Sequence, residues 1–266
     1  MKVVVFGAAG RMGCEVVRIV AQAQDMSLVG AVDHAGCSAL GKDAGLVAGT
    51  DDLGVAISPD LASALLGADL LVDFSIASAF DGMLRTAMRA KVAVVSGTTR
   101  LNETSQTLID RAATSIPVLW APNMSVGVQV LAGLVEQAVQ QLGEEYDIEV
   151  VEAHHNRKVD APSGTATFLV EAAQRARAGL RPVFGREGQP GARGADEIGV
   201  HALRGGGVIG DHAVHIIGEA ERIEIVHRAV DRGLFARGAV RAARFLASRP
   251  PGRYSLADVV ATAVTS

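Results

Sequence analysis

A dense group of ionisable side chains lies near the middle of the chain, in the segment EAHHNRKVDAPSGTA at 152–166. A histidine titrates near neutral pH, and a lysine among other cations loses its proton more readily than an isolated one. His154 and Lys158 are therefore candidate general acids. The segment then turns through Pro-Ser-Gly-Thr, which predicts a helix start whose free N–H groups bind a carboxylate. Candidate anion-binding residues are Ser163, Gly164 and Thr165.

The same segment has two other interpretations, a metal site and a solvated basic surface. His154 and His155 are both metal-ligand types, but neighbours in sequence rarely face one ion, and no third ligand follows at a suitable spacing. We therefore expect no metal. The interpretation as a solvated surface stays open at this point.

The elements before residue 126 predict an α/β domain. Apolar runs predict strands at 2–6, 27–32, 70–74, 92–95 and 117–120, and helical spacing predicts helices between them, such as 79–89 and 103–113. Continuous apolar strands that alternate with helices favour a doubly wound, Rossmann-type parallel sheet.

The pattern changes after residue 125 and favours an α+β domain with an open mixed or antiparallel sheet. A long helix is predicted at 126–142, strands at 146–153, 198–203, 213–217 and 222–227, a loop at 181–194 and an Ala-rich helix at 233–247. The last helix is expected to return to the first domain, because chain ends often lie close together. The stretch 204–207 favours a glycine-rich hairpin, with a mobile binding loop as the alternative. We expect His212 and His215 to share one strand face, in either a structural or a substrate-lining role.

The turn after the first predicted strand is a candidate dinucleotide site. It reads GAAGRMG at 7–13, where glycines allow a pyrophosphate to approach backbone N–H groups at the positive end of a helix. The spacing differs from the commoner G-x-G-x-x-G, so its position between strand and helix carries the prediction. A plain tight turn is the alternative. The residues predicted to contact the cofactor here are Gly7, Ala8, Ala9, Gly10, Arg11 and Met12.

Further candidate cofactor residues follow the other parallel strands. Asp33 comes 20 residues after Gly13, where a carboxylate accepts hydrogen bonds from a ribose, and this favours NAD. His34 either stacks on adenine, helps to hold a 2′-phosphate or is a surface residue, so the use of NADP stays open. Two later loops lie at strand ends that converge on a ligand in such sheets. Their candidate residues are Gly97, Thr98, Thr99, Ala121, Pro122, Asn123 and Met124.

Composition narrows the classes of partner. The 266 residues are 49% hydrophobic with a net charge of −4, which gives no general attraction to nucleic acid or to an anionic membrane. No segment predicts a membrane span. The two cysteines, Cys14 and Cys37, match no metal spacing and no disulfide framework, so we expect a cytoplasmic protein.

Several motifs together resemble a known family. VVVFGAAGRMG, VDFS, SGTT, APNMSVGV and above all EAHHNRKVDAPSGTA are similar to the bacterial 4-hydroxy-tetrahydrodipicolinate reductases, also called dihydrodipicolinate reductases, over essentially the whole chain. The resemblance implies a nucleotide-binding domain at 1–125 and 235–266, and a substrate-binding and oligomerisation domain at 126–234. It also implies a homotetramer, NADH or NADPH as cofactor, and a cyclic dicarboxylate substrate of lysine and diaminopimelate biosynthesis.

The resemblance also implies roles for individual residues. His154 becomes the proton donor or acceptor and Lys158 a second proton donor, while His155, Gly164 and Thr165 bind substrate. Asp33-His34 departs from the acid-arginine pair of many relatives and puts a strong NADPH preference in doubt. The competing functions are another nicotinamide-dependent oxidoreductase, for instance one acting on an aldehyde, and a nucleotide-sensing regulator.

Overall fold

The structure, a computed structural model, describes residues 1–263. The chain divides into two compact units, Met1–Ser125 with the segment from Gly233 onward, and Val126–Arg232. Of the predicted range 235–266, residues 264–266 lie outside the described part.

The strands are β1 (Lys2–Phe6), β2 (Ser27–Val32), β3 (Ile57–Ser58), β4 (Leu70–Asp73), β5 (Ala93–Ser96), β6 (Pro117–Trp120), β7 (Asp147–His154), β8 (Arg181–Phe184), β9 (Glu197–Arg204), β10 (Asp211–Ile217), β11 (Arg222–Arg228) and β12 (Gly252–Tyr254). The helices are α1 (Arg11–Gln22), α2 (Ala44–Ala48), α3 (Leu61–Ala64), α4 (Ala77–Ala90), α5 (Glu103–Ala113), α6 (Val126–Leu142), α7 (Gly164–Ala176), α8 (Gly233–Leu246) and α9 (Leu256–Ala263), with a 3-10 turn at Gly143–Glu145.

The first unit is a parallel sheet in the order β12-β6-β5-β4-β1-β2-β3 with helices on both faces. One core cluster joins α1 and α8 to alternate strand residues such as Val3 and Val5. The other joins α4 and α5 to the intervening residues, such as Val4 and Val94. Strands buried on both faces explain the continuous apolar runs in the sequence. The predicted Rossmann-type sheet is confirmed.

The second unit is an open mixed sheet in the order β11-β10-β7-β9-β8. Its strand β7 is parallel to β9 and antiparallel to β10. One face packs against α6 and α7 through apolar residues such as Val135, Ile148 and Leu169. The predicted mixed sheet is confirmed.

Three local predictions about this sheet are wrong. The loop expected at 181–194 begins with β8, an edge strand, where Pro182 is tolerated because an edge has an unpaired side. The glycines at 205–207 do not form a hairpin, because β9 and β10 lie on opposite sides of β7. His212 and His215 are three residues apart in β10, so the period of two puts them on opposite faces.

None of the helices in the described residues is long and apolar enough to cross a membrane.

Candidate active site

The turn after β1 brings backbone N–H groups to the start of α1. Gly7 has φ +79°, and a Cβ atom built on it would lie 2.8 Å from the carbonyl oxygen of Phe74. A Cβ atom on Gly13 would lie 2.0 Å from the carbonyl oxygen of Gly7. Both positions therefore require glycine. The helix is preceded by Gly10, which offers no side chain to cap it.

The structure brings Asp33 to this turn. Its Oδ2 accepts a hydrogen bond of 2.9 Å from the Ala9 backbone N–H, and its Oδ1 accepts one of 2.8 Å from the His34 N–H. The Asp33 side chain is only 13% exposed, whereas the His34 side chain is 73% exposed. Arg11 is exposed and Met12 is half-buried at the start of α1. The carboxylate thus lies at the end of β2 beside the glycine turn, where the sequence predicted a ribose contact.

A cluster of metal-ligand types occurs at the same strand end. Asp33, His34 and Cys37 each place one ligand atom within 4.8 Å of the others. Two of these side chains already accept hydrogen bonds within the turn. The Gly36 N–H donates to His34 Nδ1, and the Ala39 N–H donates to Cys37 Sγ. We therefore interpret the cluster as a stabilised turn.

The loop after β5 is organised by a buried acid that the sequence analysis did not single out. Asp73 Oδ2 accepts hydrogen bonds from Ser96 Oγ at 2.6 Å and from Thr98 Oγ1 at 2.8 Å. A Cβ atom on Gly97 would lie 2.3 Å from the Phe74 ring. Of the predicted cofactor residues here, Thr98 is buried and only Thr99 is exposed.

The loop after β6 also contains both buried and exposed candidate cofactor residues. Ala121 and Met124 are buried in the core of the first unit, whereas Pro122 is exposed and Asn123 is half-buried. The Asn123 side chain accepts a hydrogen bond of 2.9 Å from the Ser125 N–H. Side-chain contacts with a ligand are thus open to Pro122 and Asn123, and the buried pair positions the backbone.

In the second unit, His154 is the last residue of β7 and points to the buried face of the sheet. Its side chain is 11% exposed, and its Nδ1 lies 2.6 Å from Oε2 of Glu152, which is fully buried. The two residues share a face because they are two apart in a strand. A Cβ atom on Gly210 would lie 3.0 Å from His154 Nε2.

Glu152 also binds the loop after β9 and the start of α7. The Arg204 guanidinium donates to both carboxylate oxygens at 2.8 Å, and the Ser163 N–H donates to Oε1 at 3.0 Å. Burial alone would raise the pKa of Glu152, but the hydrogen bonds from Arg204, His154 and Ser163 outweigh it, so the pKa is lowered. No local pattern in the sequence connects Glu152 with Arg204, because the two lie 52 residues apart.

His212 completes this buried cluster from β10. Its ring lies 5.2 Å from the His154 ring in an edge-to-face arrangement, and its Nε2 lies 3.2 Å from Ser163 Oγ. Burial, followed by the charge of His154, lowers the pKa of His212 to about 4. Its Nδ1 is buried and has no hydrogen-bond partner among the described residues.

Lys158 lies four residues beyond His154 and is 19% exposed. Its Nζ donates to both carboxylate oxygens of Asp160 at 2.9 and 2.8 Å, which lowers the pKa of Asp160. His155 is half-buried, and burial lowers its pKa. A basic group and a buried histidine thus lie on one segment, which also contains the cis peptide bond before Pro162.

The helix start after Pro162 forms as the sequence predicts. Ser163 precedes α7 and caps it, because its Oγ accepts a hydrogen bond of 3.2 Å from the Ala166 N–H. Gly164 is exposed and Thr165 is half-buried in the first turn of the helix. The first N–H groups of α7 therefore lie next to the cluster around Glu152.

A Rossmann-type sheet with a glycine turn, together with a second unit that holds a buried histidine-carboxylate pair, has the parts that a nucleotide-dependent oxidoreductase requires. Residues 1–124 match the family described as "Dihydrodipicolinate reductase, N-terminus", and residues 127–260 match "Dihydrodipicolinate reductase, C-terminus". The chain belongs to this family. The resemblance seen in the sequence motifs is confirmed.

Individual relatives agree with this assignment. A 4-hydroxy-tetrahydrodipicolinate reductase of Anaeromyxobacter dehalogenans is 48% identical over 97% of both chains. One of Alkalilimnicola ehrlichii is 45% identical over 97% of this chain and 98% of the other. A solved structure, dipicolinate-bound dihydrodipicolinate reductase from Paenisporosarcina sp. TG-14, shares the fold with a TM-score of 0.75 at 22% identity, covering 96% of this chain and 97% of that one.

Proposed function

We propose that the chain reduces 4-hydroxy-tetrahydrodipicolinate to tetrahydrodipicolinate with NADH or NADPH, as a step of lysine and diaminopimelate biosynthesis. The observation that carries the proposal is the buried Glu152–His154 pair beside the first turn of α7, in a chain whose relatives are named for this reaction. It joins a proton-transfer group and an anion-binding helix start in one unit.

The first unit suits a nicotinamide cofactor. Gly7 and Gly13 allow the tight turn, and the exposed Gly10 leaves the start of α1 without a side-chain cap, so a pyrophosphate could bind its first N–H groups. Asp33 would accept hydrogen bonds from a ribose, which supports the use of NADH. When bound, the reduced cofactor supplies a hydride to the substrate ring, and the substrate hydroxyl leaves as water with the proton that the protein supplies.

The second unit would bind the dicarboxylate and supply the proton. The N–H groups of Gly164 and Thr165 would receive one substrate carboxylate, and His155 would contact the substrate beside them. His154 would donate a proton from Nε2 as the doubly protonated ring, because its Nδ1–H faces Glu152 and only Nε2 is available to the substrate. Lys158 would act as the second donor after leaving Asp160, and an ion pair with a half-exposed partner costs little to break.

The decisive experiment is oxidation of each cofactor by the purified protein with freshly made substrate. We expect turnover with at least one of them, and no turnover with either would reject the proposal. Lys158→Ala should lower kcat by roughly 10²-fold or more, while cofactor affinity stays near wild type. The exposed Lys91→Ala variant controls for the loss of one lysine. Wild-type turnover in Lys158→Ala would remove Lys158 from the mechanism and would favour another assignment.

We also propose that the protein is a cytoplasmic homotetramer. Both cysteines are free thiols, which supports a reducing compartment. The face of the mixed sheet that α6 and α7 leave uncovered exposes Leu203 and Val226 at 58% and 40%, which supports association through this face. Light scattering tests the assembly, and a monomer at assay concentration would contradict it.

A further inference from the structure

Glu152 is a charged group at the centre of the cluster that contains the proposed proton donor. It is fully buried, yet its two oxygens accept hydrogen bonds from His154, Arg204 and Ser163. A buried carboxylate that lacked such partners would be strongly destabilising. Glu152 departs from the pattern of its strand, because Ile148 and Val150 on the same face of β7 are apolar core residues. A role beyond packing therefore has to account for its presence.

The ionised state of Glu152 is maintained by Arg204. The two parallel N–H···O bonds of 2.8 Å form the fork that a guanidinium makes with a carboxylate. The Arg204 guanidinium also donates to the backbone carbonyl of Asp160 at 2.8 Å, so its position is fixed by the segment that carries Lys158. The ion pair is thus anchored in the loops that surround the proposed substrate site.

An ionised carboxylate can only accept a hydrogen bond, and this fixes the tautomer of His154. Because Oε2 of Glu152 lies 2.6 Å from Nδ1, the proton of the neutral ring must be on Nδ1. Nε2 is then the atom that gains and loses the exchangeable proton. The ring is held in this orientation by the edge-to-face contact with His212.

The same carboxylate also fixes the anion-binding turn. Its Oε1 accepts the N–H of Ser163, the residue that caps α7, while its Oε2 holds His154. One side chain therefore sets the distance between the proton donor and the first turn of the helix. A shift of about 1 Å in such a distance is enough to cost roughly 10²-fold in rate.

We propose that Glu152, held ionised by Arg204, is a positioning residue that presents His154 with its proton on Nδ1 and its Nε2 free to exchange a proton with the substrate. The inference rests on the proposed function for the identity of the proton donor, but the tautomer of His154 is a property of the protein alone.

The test combines a tautomer measurement with kinetics. Solid-state NMR of protein labelled with ¹⁵N-histidine reports which ring nitrogen carries the proton at a pH where the ring is neutral, and His154→Asn identifies the signal. Glu152→Gln is the variant of choice, because an amide oxygen still accepts the Ser163 N–H and one Arg204 N–H, while the amide NH₂ donates to Nδ1 and gives up the second Arg204 hydrogen bond. We expect a switch of the proton to Nε2 and a fall in kcat of about 100-fold with little change in KM.

Glu149→Gln is the matched control. Glu149 lies on the same strand, points to the opposite face, and is bound by Arg186, Arg193 and His201. It therefore reproduces the loss of an ion-paired carboxylate without contact with His154, and we expect an unchanged His154 tautomer and near wild-type kcat. Gel filtration checks that Glu152→Gln and Glu149→Gln have the same oligomeric state before their kinetics are compared.

Two results would overturn the inference. One is a wild-type His154 with its proton on Nε2, which can be observed even if Glu152→Gln does not fold. The other is a Glu152→Gln variant that keeps the wild-type tautomer and the kcat of Glu149→Gln. If the wild type shows the expected tautomer but oxidises neither cofactor, the proposed function fails while the geometry around Glu152 stands.

Discussion

The buried histidine of the cluster makes the stability of the protein depend on pH in a defined window. The pKa of His212 is lowered from 6.5 to about 4 because the ring is buried and lies next to His154. Between these two values the unfolded chain binds a proton that the native state does not. Stability therefore falls as the pH drops from above 6.5 towards 4.

The size of the effect follows from the shift. One pKa unit corresponds to about 1.4 kcal/mol, so His212 removes about 2 kcal/mol of stability at pH 5 and about 3 kcal/mol near pH 4, relative to pH 8. Burial also lowers the pKa values of His155 and His227, and their contributions have the same sign. The total pH dependence alone would not isolate His212.

A comparison of variants isolates the contribution of His212 to the pH dependence of stability. His212→Gln cannot titrate but keeps an acceptor for the hydroxyl of Ser163. Urea denaturation followed by circular dichroism, at pH 8 and pH 5, should show that the wild type loses about 2 kcal/mol more than the variant. His215→Gln, on the opposite face of β10, controls for the loss of an imidazole. Parallel losses in the wild type and His212→Gln would refute the assignment of a buried, neutral ring.

Two glycine substitutions test the close approaches at the proposed sites. Gly210→Ala would place a Cβ atom 3.0 Å from His154 Nε2. We expect steady-state kinetics to show a lower kcat with unchanged cofactor affinity. A kcat equal to wild type would contradict an approach of the substrate to His154 Nε2 from the side of Gly210. Gly7→Ala should destabilise the protein by about 1 kcal/mol or more and weaken cofactor binding in calorimetry, because it combines φ +79° with a contact of 2.8 Å to Phe74. Gly49→Ala is the control for Gly7→Ala, because Gly49 has φ +78° but open space around it. Equal destabilisation by Gly7→Ala and Gly49→Ala would show that the contact with Phe74 adds nothing to the backbone strain.

The first unit was largely predictable because its strands are continuous apolar runs and its longer helices show helical spacing. The sequence predicted β1, β2, β6 and α5 with the bounds that the structure has. The short elements α2, α3, β3 and β12 were not predicted. The helices α2 and α3 have five and four residues, less than two turns, and the strands β3 and β12 have two and three residues, less than two repeats, so their patterns carry no signal.

The candidate site was predictable as a segment but not as a cluster. Ser163 was expected at a helix start and is found there, because capping depends on neighbours in sequence. Asp73 was not singled out, since a single acid at the end of an apolar strand has no local signature. Its partners Ser96 and Thr98 come from the next strand, and only the fold brings them together.

The partners of Glu152 were hidden by the strand order rather than by residue type. In the register of the sheet, His212 in β10 lies opposite Glu152, while Arg204 in β9 lies opposite His154 on the other side of β7. Glu152 can contact both only because β7 is the central strand of the three. A glycine-rich hairpin at 205–207 would have paired β9 with β10 directly, and β7 could then have had only one of them as a neighbour. The wrong hairpin and the missed roles of Arg204 and His212 are therefore one error, since the sequence contains no local signal that β7 inserts between the two strands.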